Sequence, residues 1–468
     1  MDYIDPLERY DSSCVSDILP SDQHSMRTYF EHSLHSFLTS SIVAPAAARI
    51  VSEYHVEAPI LSSMITTIYV LGFLFGPLFL SPLSELYGRR PILNFANAFF
   101  TLCHIGCALA PNIGVFLAFR ILSGIGGSVT LSVGGGMVAD LFDIHERGVA
   151  NALVTTGSLF GPVLGPLIGG LITQNVDWRW IFWVLLIASA VFTTLMAVFT
   201  PETNSSIIIR RKTLNMRQET GREDLRNAYD FDKTMNGIDK SLSLAHAIKR
   251  PWKMITRSPI LMILSFIVGL ISGLLYFLLT TTSSFFEEVY GWPLETAGLA
   301  YLGLGFGSLI GLVLFAKTSD LFTMRLTKAN NNVFEPEMRI FPAIFPALFI
   351  PISFFWYGWS ASERTHWIVP LTGLVPFGFA QVGINATVQA YLIDASGPYA
   401  ASSVACATAV RCLFGAFLPL AGPSLYNSLG LGWGNSLLGF ISLVMVPLIV
   451  FVYKSGQGLR KKYPLNAA

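Results

Sequence analysis

Apolar residues in this chain gather into blocks of about 20, the length that carries a helix across the hydrocarbon core of a bilayer. Good blocks lie near 61–81, 92–111, 115–139, 150–172, 180–200, 259–282, 297–316, 341–357, 368–393, 402–427 and 433–453, and a weaker twelfth lies near 34–51. In lipid every backbone polar group must find its partner inside the protein, and a helix does this within one segment. Composition agrees: the chain is 52% hydrophobic and 13% charged, whereas a soluble protein carries about a quarter charged residues. The expected fold class is an all-α membrane protein of twelve transmembrane helices.

Charge is informative through its placement, since the formal net value is only +1. Arg89 and Arg90 fall between the second and third blocks, and Lys317, Arg325, Lys328 and Arg339 between the eighth and ninth. The polar interval 203–258 is rich in Lys and Arg, and Lys454, Arg460, Lys461 and Lys462 follow the last block. The alternate loops carry chiefly Arg179 and Arg364. Positive charge stays on the cytoplasmic side, so both termini and 203–258 are expected there. The expected division is a tail over 1–33, a six-helix bundle over 34–202, a central loop over 203–258, a second six-helix bundle over 259–453, and a tail over 454–468. A six-plus-six arrangement suggests internal duplication. Met137-Val138-Ala139-Asp140 and Tyr391-Leu392-Ile393-Asp394 end corresponding blocks, and Glu85 and Asp320 follow at similar points of two others.

Within the fifth block, Gly157, Gly161, Gly165 and Gly169 recur every fourth residue, with Pro162, Pro166 and Gly170 interleaved. On a helix the four glycines form one smooth stripe that lets a neighbouring backbone approach. Arg120 and Arg411 are the arginines deep in strong blocks; burying either costs on the order of 3 kcal/mol or more without water or a partner. Gln381, Asn385 and Gln389 recur every fourth residue in the tenth block, a polar face better suited to a central cavity than to lipid. Tyr276, Phe277, Phe285 and Phe286 are read first as packing, and second as aromatic surface for a flat substrate. His104 is the titratable midspan residue besides cysteine. Five cysteines show no disulfide or metal spacing. No nucleotide loop, metal set or nucleophile–base pair is present, so neither an enzyme nor a cofactor is expected, and nothing points to nucleic acid.

The loop Ser81-Pro-Leu-Ser-Glu85-Leu-Tyr-Gly88-Arg89-Arg90-Pro91 resembles the loop motif between helices two and three of the major facilitator superfamily. Ser81 and Leu86 depart from the Gly and Arg often found there. Phe119-Arg120-Ile-Leu-Ser-Gly124-Ile-Gly126 resembles its fourth-helix motif, and the glycine stripe resembles the fifth-helix signature of antiporters. Pro201-Glu202-Thr203 and Trp433-Gly434-Asn435-Ser436-Leu437-Leu438 resemble the sixth-helix end and twelfth-helix start of the fungal drug:proton antiporter group. The resemblance covers about residues 42–462. It implies two pseudo-symmetric bundles, alternating access, lipid as solvent, a small-molecule substrate and protons as the coupling ion. It implies a cytoplasmic gate built from Glu85, Gly88, Arg89, Arg90, Asp140 and Arg147, and a coupling role for Arg120. Arg411 is read as a group that binds an anionic substrate or braces the tenth helix.

The expected function is efflux of an amphipathic drug, toxin or secondary metabolite across the plasma membrane. A polyamine exporter would want acidic residues at midspan, and none stands there. A third reading, a receptor that does not transport, follows from the first helix: the run from Ser36 to Ile50 is short and Ser-rich for a full span.

Overall fold

The computed structural model describes residues 22–55, 59–130, 133–134, 137, 140, 147–221, 253–396 and 400–463. Among the described residues every regular element is a helix. The first half contains α1 (Asp22–Ser41), α2 (Ala47–Glu53), α3 (Pro59–Tyr87), α4 (Arg89–Ala108), α5 (Ile113–Gly127), α6 (Arg147–Asn175), α7 (Arg179–Phe199) and the polar α8 (Ser205–Thr220). The second contains α9 (Pro259–Tyr290), α10 (Leu302–Ala329), α11 (Phe349–Ser362), α12 (Val375–Ser396), α13 (Ala400–Phe417), α14 (Gly422–Leu443) and α15 (Met445–Lys462). Nine candidate spans are long and apolar enough to cross a membrane among the described residues, and the last, Ser402–Lys462, is long enough for two. The turn between those two sits at Gly430, whose φ of 70° breaks the helix. With α5 and α6, this is the all-α, twelve-span fold implied by the sequence.

The two halves use the same pairings. In the first, α1 packs on α6, α3 on α5 and α4 on α7; in the second, α9 packs on α13, α10 on α12 and α11 on α14. Between halves, α3 packs on α13, and α6 packs on the start of α10 and the helical turns before it. Glycines permit the closest crossings. A Cβ on Gly72 would lie 2.7 Å from the Gly124 Cα, so α3 and α5 meet nearly backbone to backbone. Gly126 is held against Phe100 of α4 in the same way. The glycines of the fourth-helix motif therefore draw α5 against both neighbours and bury Arg120.

The first helix is longer than the Ser36–Ile50 run. The span runs over Glu31–Glu53, 23 residues, and its most apolar stretch of 18 has a mean hydropathy of 1.3. It passes through the turn Ala44–Ala46, where Pro45 interrupts the helical bonds without ending the span. His32, Ser33, His35, Ser36, Thr39, Ser40 and Ser41 are all buried against other helices. Hydropathy undervalues such a helix, because its polar face meets protein rather than lipid.

Candidate functional site

Arg120 sits at the middle of α5 with none of its surface exposed. One terminal nitrogen, Nη1, donates to the backbone carbonyl of Thr39 at 3.1 Å. The guanidinium stacks 4.7 Å from the ring centroid of Tyr69 on α3, a contact worth roughly 0.5–2 kcal/mol. Nε and Nη2 have no partner. Tyr69 is itself anchored: its hydroxyl donates to the Ser36 carbonyl at 2.9 Å, and Ser36 Oγ donates to the Gly127 carbonyl at 2.7 Å. The arginine is thus held by α1 and α3 with most of its hydrogen-bonding capacity unspent.

Around it the first half is unusually polar. His104 Nδ1 lies 2.7 Å from the Phe100 carbonyl, which makes Nδ1 the protonated nitrogen and leaves a lone pair on Nε2. That Nε2 has no partner, nor have His35 Nε2 and both nitrogens of His32. The His35 and His104 rings stack with centroids 6.4 Å apart. Among the described residues His104 is therefore one of three buried histidines, with His32 and His35. The other two stand in the sequence just before the Ser36–Ile50 run, and the longer span over Glu31–Glu53 takes them inside.

Across the interface, the Tyr276 hydroxyl donates to Ser40 Oγ at 3.1 Å, joining α9 to α1. Tyr276 is 7% exposed, so in this conformation it is a link between halves rather than an open aromatic surface. Arg411, half-buried on α13, stands one turn before Gly415, whose Cβ would meet the Tyr276 ring at 3.1 Å. Of the polar face on α12, Gln381 and Asn385 are half-buried and Gln389 is exposed. The Asn385 side chain donates to the Gln381 carbonyl at 2.9 Å. Phe277, Phe285 and Phe286 are core residues.

At the opposite end of α4 the gate residues form a knot inside one half. Arg89 Nε meets Asp140 Oδ2 at 3.3 Å, and Arg89 Nη1 donates to Ser84 Oγ at 2.7 Å. Arg90 donates to the Ala197 carbonyl at 2.7 Å. The Glu202 carboxylate accepts from the backbone N–H of Arg89 at 2.8 Å and of Arg90 at 3.2 Å, capping the start of α4. Gly88 has a φ of 107°, and any Cβ there would run into that carboxylate, which is why glycine stands in the motif. The capping role of Glu202 was missed, although Pro201-Glu202-Thr203 marked the place. Glu85 lies in α3 and Arg147 opens α6, but their side chains lie outside the described residues.

The stripe on α6 faces α1. A Cβ on Gly161 would stand 2.6 Å from the Phe37 Cβ and 2.7 Å from the Leu38 nitrogen; Gly165 and Gly169 face Leu38, Ser41 and Ile42 equally closely. Gly157 and Gly170 are buried, as are Pro162 and Pro166 within the same helix. Another face of α6 meets the second half, where Gly298 packs on Pro166 and Leu167, and Gly305 on Val163.

The family model described as Major Facilitator Superfamily matches residues 33–419. The chain belongs to the Major Facilitator Superfamily. It is 43% identical over 423 residues to the MFS transporter cpaT of Aspergillus oryzae, covering 90% of this chain and 84% of that one. It is 44% identical over 428 residues to the MFS-type transporter penM of Penicillium rubens, covering 91% and 83%. Among solved structures, the xylose transporter XylE from E. coli in a partially occluded inward open conformation matches with a TM-score of 0.68 at 18% identity, over 92% of this chain and 97% of that one. That likeness shows the fold alone. As a facilitator-superfamily protein the chain is a multi-pass membrane protein, and its partners are a small molecule and the bilayer.

Proposed function

We propose that this facilitator-superfamily protein exports a small amphipathic compound, a drug, toxin or secondary metabolite, by alternating access coupled to protons. The observation that carries this reading is where the polar groups lie. Thr39 and Ser40 of α1 accept bonds from Arg120 and from Tyr276 of the other half, and Arg411 stands one turn before Gly415 at the Tyr276 ring, while ion pairs such as Arg89–Asp140 and Arg179–Glu53 lie towards the helix ends. A polar centre between two internally braced bundles suits a substrate site that one bundle uncovers by rocking against the other. The halves are drawn together at the end of α6 and the start of α10, far from Arg89. With residues 203–258 and both termini in the cytoplasm, that end is the outer one, and the conformation is closed to the outside. The plasma membrane is the setting in which such closure and opening would remove a compound from the cell. A span at Glu31–Glu53 also argues against the non-transporting receptor, since α1 contributes Thr39 and Ser40 to the centre.

Inside-out vesicles bearing the protein and a panel of amphipathic compounds test the proposal. An imposed proton gradient should drive uptake of at least one compound, and collapsing the gradient should stop it. Uptake insensitive to the gradient for every compound would contradict proton coupling.

A further inference from the structure

Arg120 and Arg411, on helices of the two halves, pair with no carboxylate among the described residues. Arg120 is fully buried with Nε and Nη2 unpartnered. Arg411 enters from the other half one turn before Gly415, whose Cβ would lie 3.1 Å from the Tyr276 ring, and Tyr276 and Arg120 bond to the neighbouring residues Ser40 and Thr39 of α1. Among the described residues the acids in ion pairs are engaged elsewhere: Glu53 and Asp177 with Arg179, Asp140 with Arg89, Asp394 with Arg339, Glu337 with Arg460. Neither central arginine takes part in any of these pairs. Arginine stays protonated under all ordinary conditions. Two cations on either side of one buried tyrosine in a low-dielectric interior therefore make a positive region that no acid among the described residues neutralises.

We infer that this centre is an anion site, and that the transported compound is an amphipathic organic acid whose ionised oxygens pair with Arg120 from one half and Arg411 from the other. The spare nitrogens of Arg120 are the donors a carboxylate or enolate would use, in the planar fork that suits two oxygens. The surroundings specify the rest of the molecule. Val70 meets Gly415 beside the Tyr276 ring, and Phe37 and Phe73 pack edge to face nearby. An apolar body with one acidic group fits such a place better than an inorganic ion, which would gain nothing from those walls. A polyamine would add positive charge to positive charge. Binding to residues of both halves also gives the anion a reason to favour the occluded conformation over the open ones.

The inference deepens the transport reading, and rests on it for the word substrate, but its test is binding alone. The purified full-length chain in nanodiscs is titrated with naphthalene-2-carboxylate and with naphthalene-2-carboxamide, matched in shape and different in charge, by intrinsic fluorescence or calorimetry. The carboxylate should bind about 10-fold more tightly or better, as expected for a charge-assisted pair. Arg120→Gln and Arg411→Gln should each bring the two affinities together, and Arg411→Lys should keep part of the preference. Unfolding curves of the variants confirm that each is folded. Equal affinities in the unmodified protein, a preference untouched in both Gln variants, or competition by chloride as strong as that of the carboxylate would each overturn the inference. A charge preference without gradient-driven flux would instead count against the transport reading and leave the anion site standing.

Discussion

Arg120 is costly to bury, and the fold recovers only part of that cost through the Thr39 carbonyl and the Tyr69 ring. Arg120→Ala is expected to abolish gradient-driven flux, by at least about 10-fold, while leaving the protein in the membrane. Arg120→Lys keeps the charge but loses the planar fork, so part of the flux should remain. Flux at the unmodified level in the Ala variant, at equal expression, would remove Arg120 from the site. Arg120 and Arg411 were legible in the sequence because an arginine inside an apolar block has few innocent explanations. Their surroundings were not, because Thr39, Tyr69 and Tyr276 arrive from distant parts of the chain. Glu202 makes the same point. Its motif was visible, yet its role as the cap of α4 depends on α7 ending beside the start of α4. Glu202→Gln should lower the thermal midpoint by weakening a charge-assisted cap worth about 1 kcal/mol. An unchanged midpoint would show that the cap contributes nothing.

At the scale of the element, α6 is the most constrained helix. Its stripe is seated on α1, so Gly161→Leu must push Phe37 and Leu38 away. Flux should fall severely in Gly161→Leu and hardly at all in Leu171→Ala, a change at an exposed position of the same helix. The clash should also loosen the contact between α6 and α10 and raise passive leakage. Equal flux for the two variants would mean that the stripe is not a packing seam. The periodicity of the glycines was plain in the sequence, but their partner helix was not, since a stripe records close approach without recording what approaches. The first helix shows the opposite difficulty. Its seven buried polar residues lower the local hydropathy, and that signal marks a helix enclosed by others as readily as one too short to span.

At the scale of the whole molecule, the duplication is carried by geometry more clearly than by sequence. Asp140 and Asp394 stand at corresponding places in the two halves, and each takes an arginine, Arg89 and Arg339, from the segment that opens the third helix of its half. The third and sixth helices are also tied in both halves: Glu202 caps α4, while Glu337 pairs with Arg460 of α15 at 3.0 and 3.2 Å. The sequence alignment of Asp140 with Asp394 was readable, but Arg339 was not, because its partner lies 55 residues away. The side chains of Glu85 and Asp320, the other matched pair, lie outside the described residues. If each half moves as a braced unit, a single-cysteine probe anywhere in 203–258 should react only from the cytoplasm; labelling from outside intact cells would reject the orientation.

The central claim is that transport requires the halves to part at the end of α6 and the start of α10. The direct measurement is a cross-link there. A Cβ on Gly305 lies 3.7 Å from the Val163 Cβ, inside the range of about 3.5–4.5 Å that a disulfide spans. In the doubly substituted Val163→Cys, Gly305→Cys protein, oxidation should form the bond, stop gradient-driven flux, and be reversed by a reducing agent, with the unmodified chain insensitive to the same oxidant. A bond that forms while flux continues unchanged would contradict the account, because the halves would then be transporting without ever separating at this end.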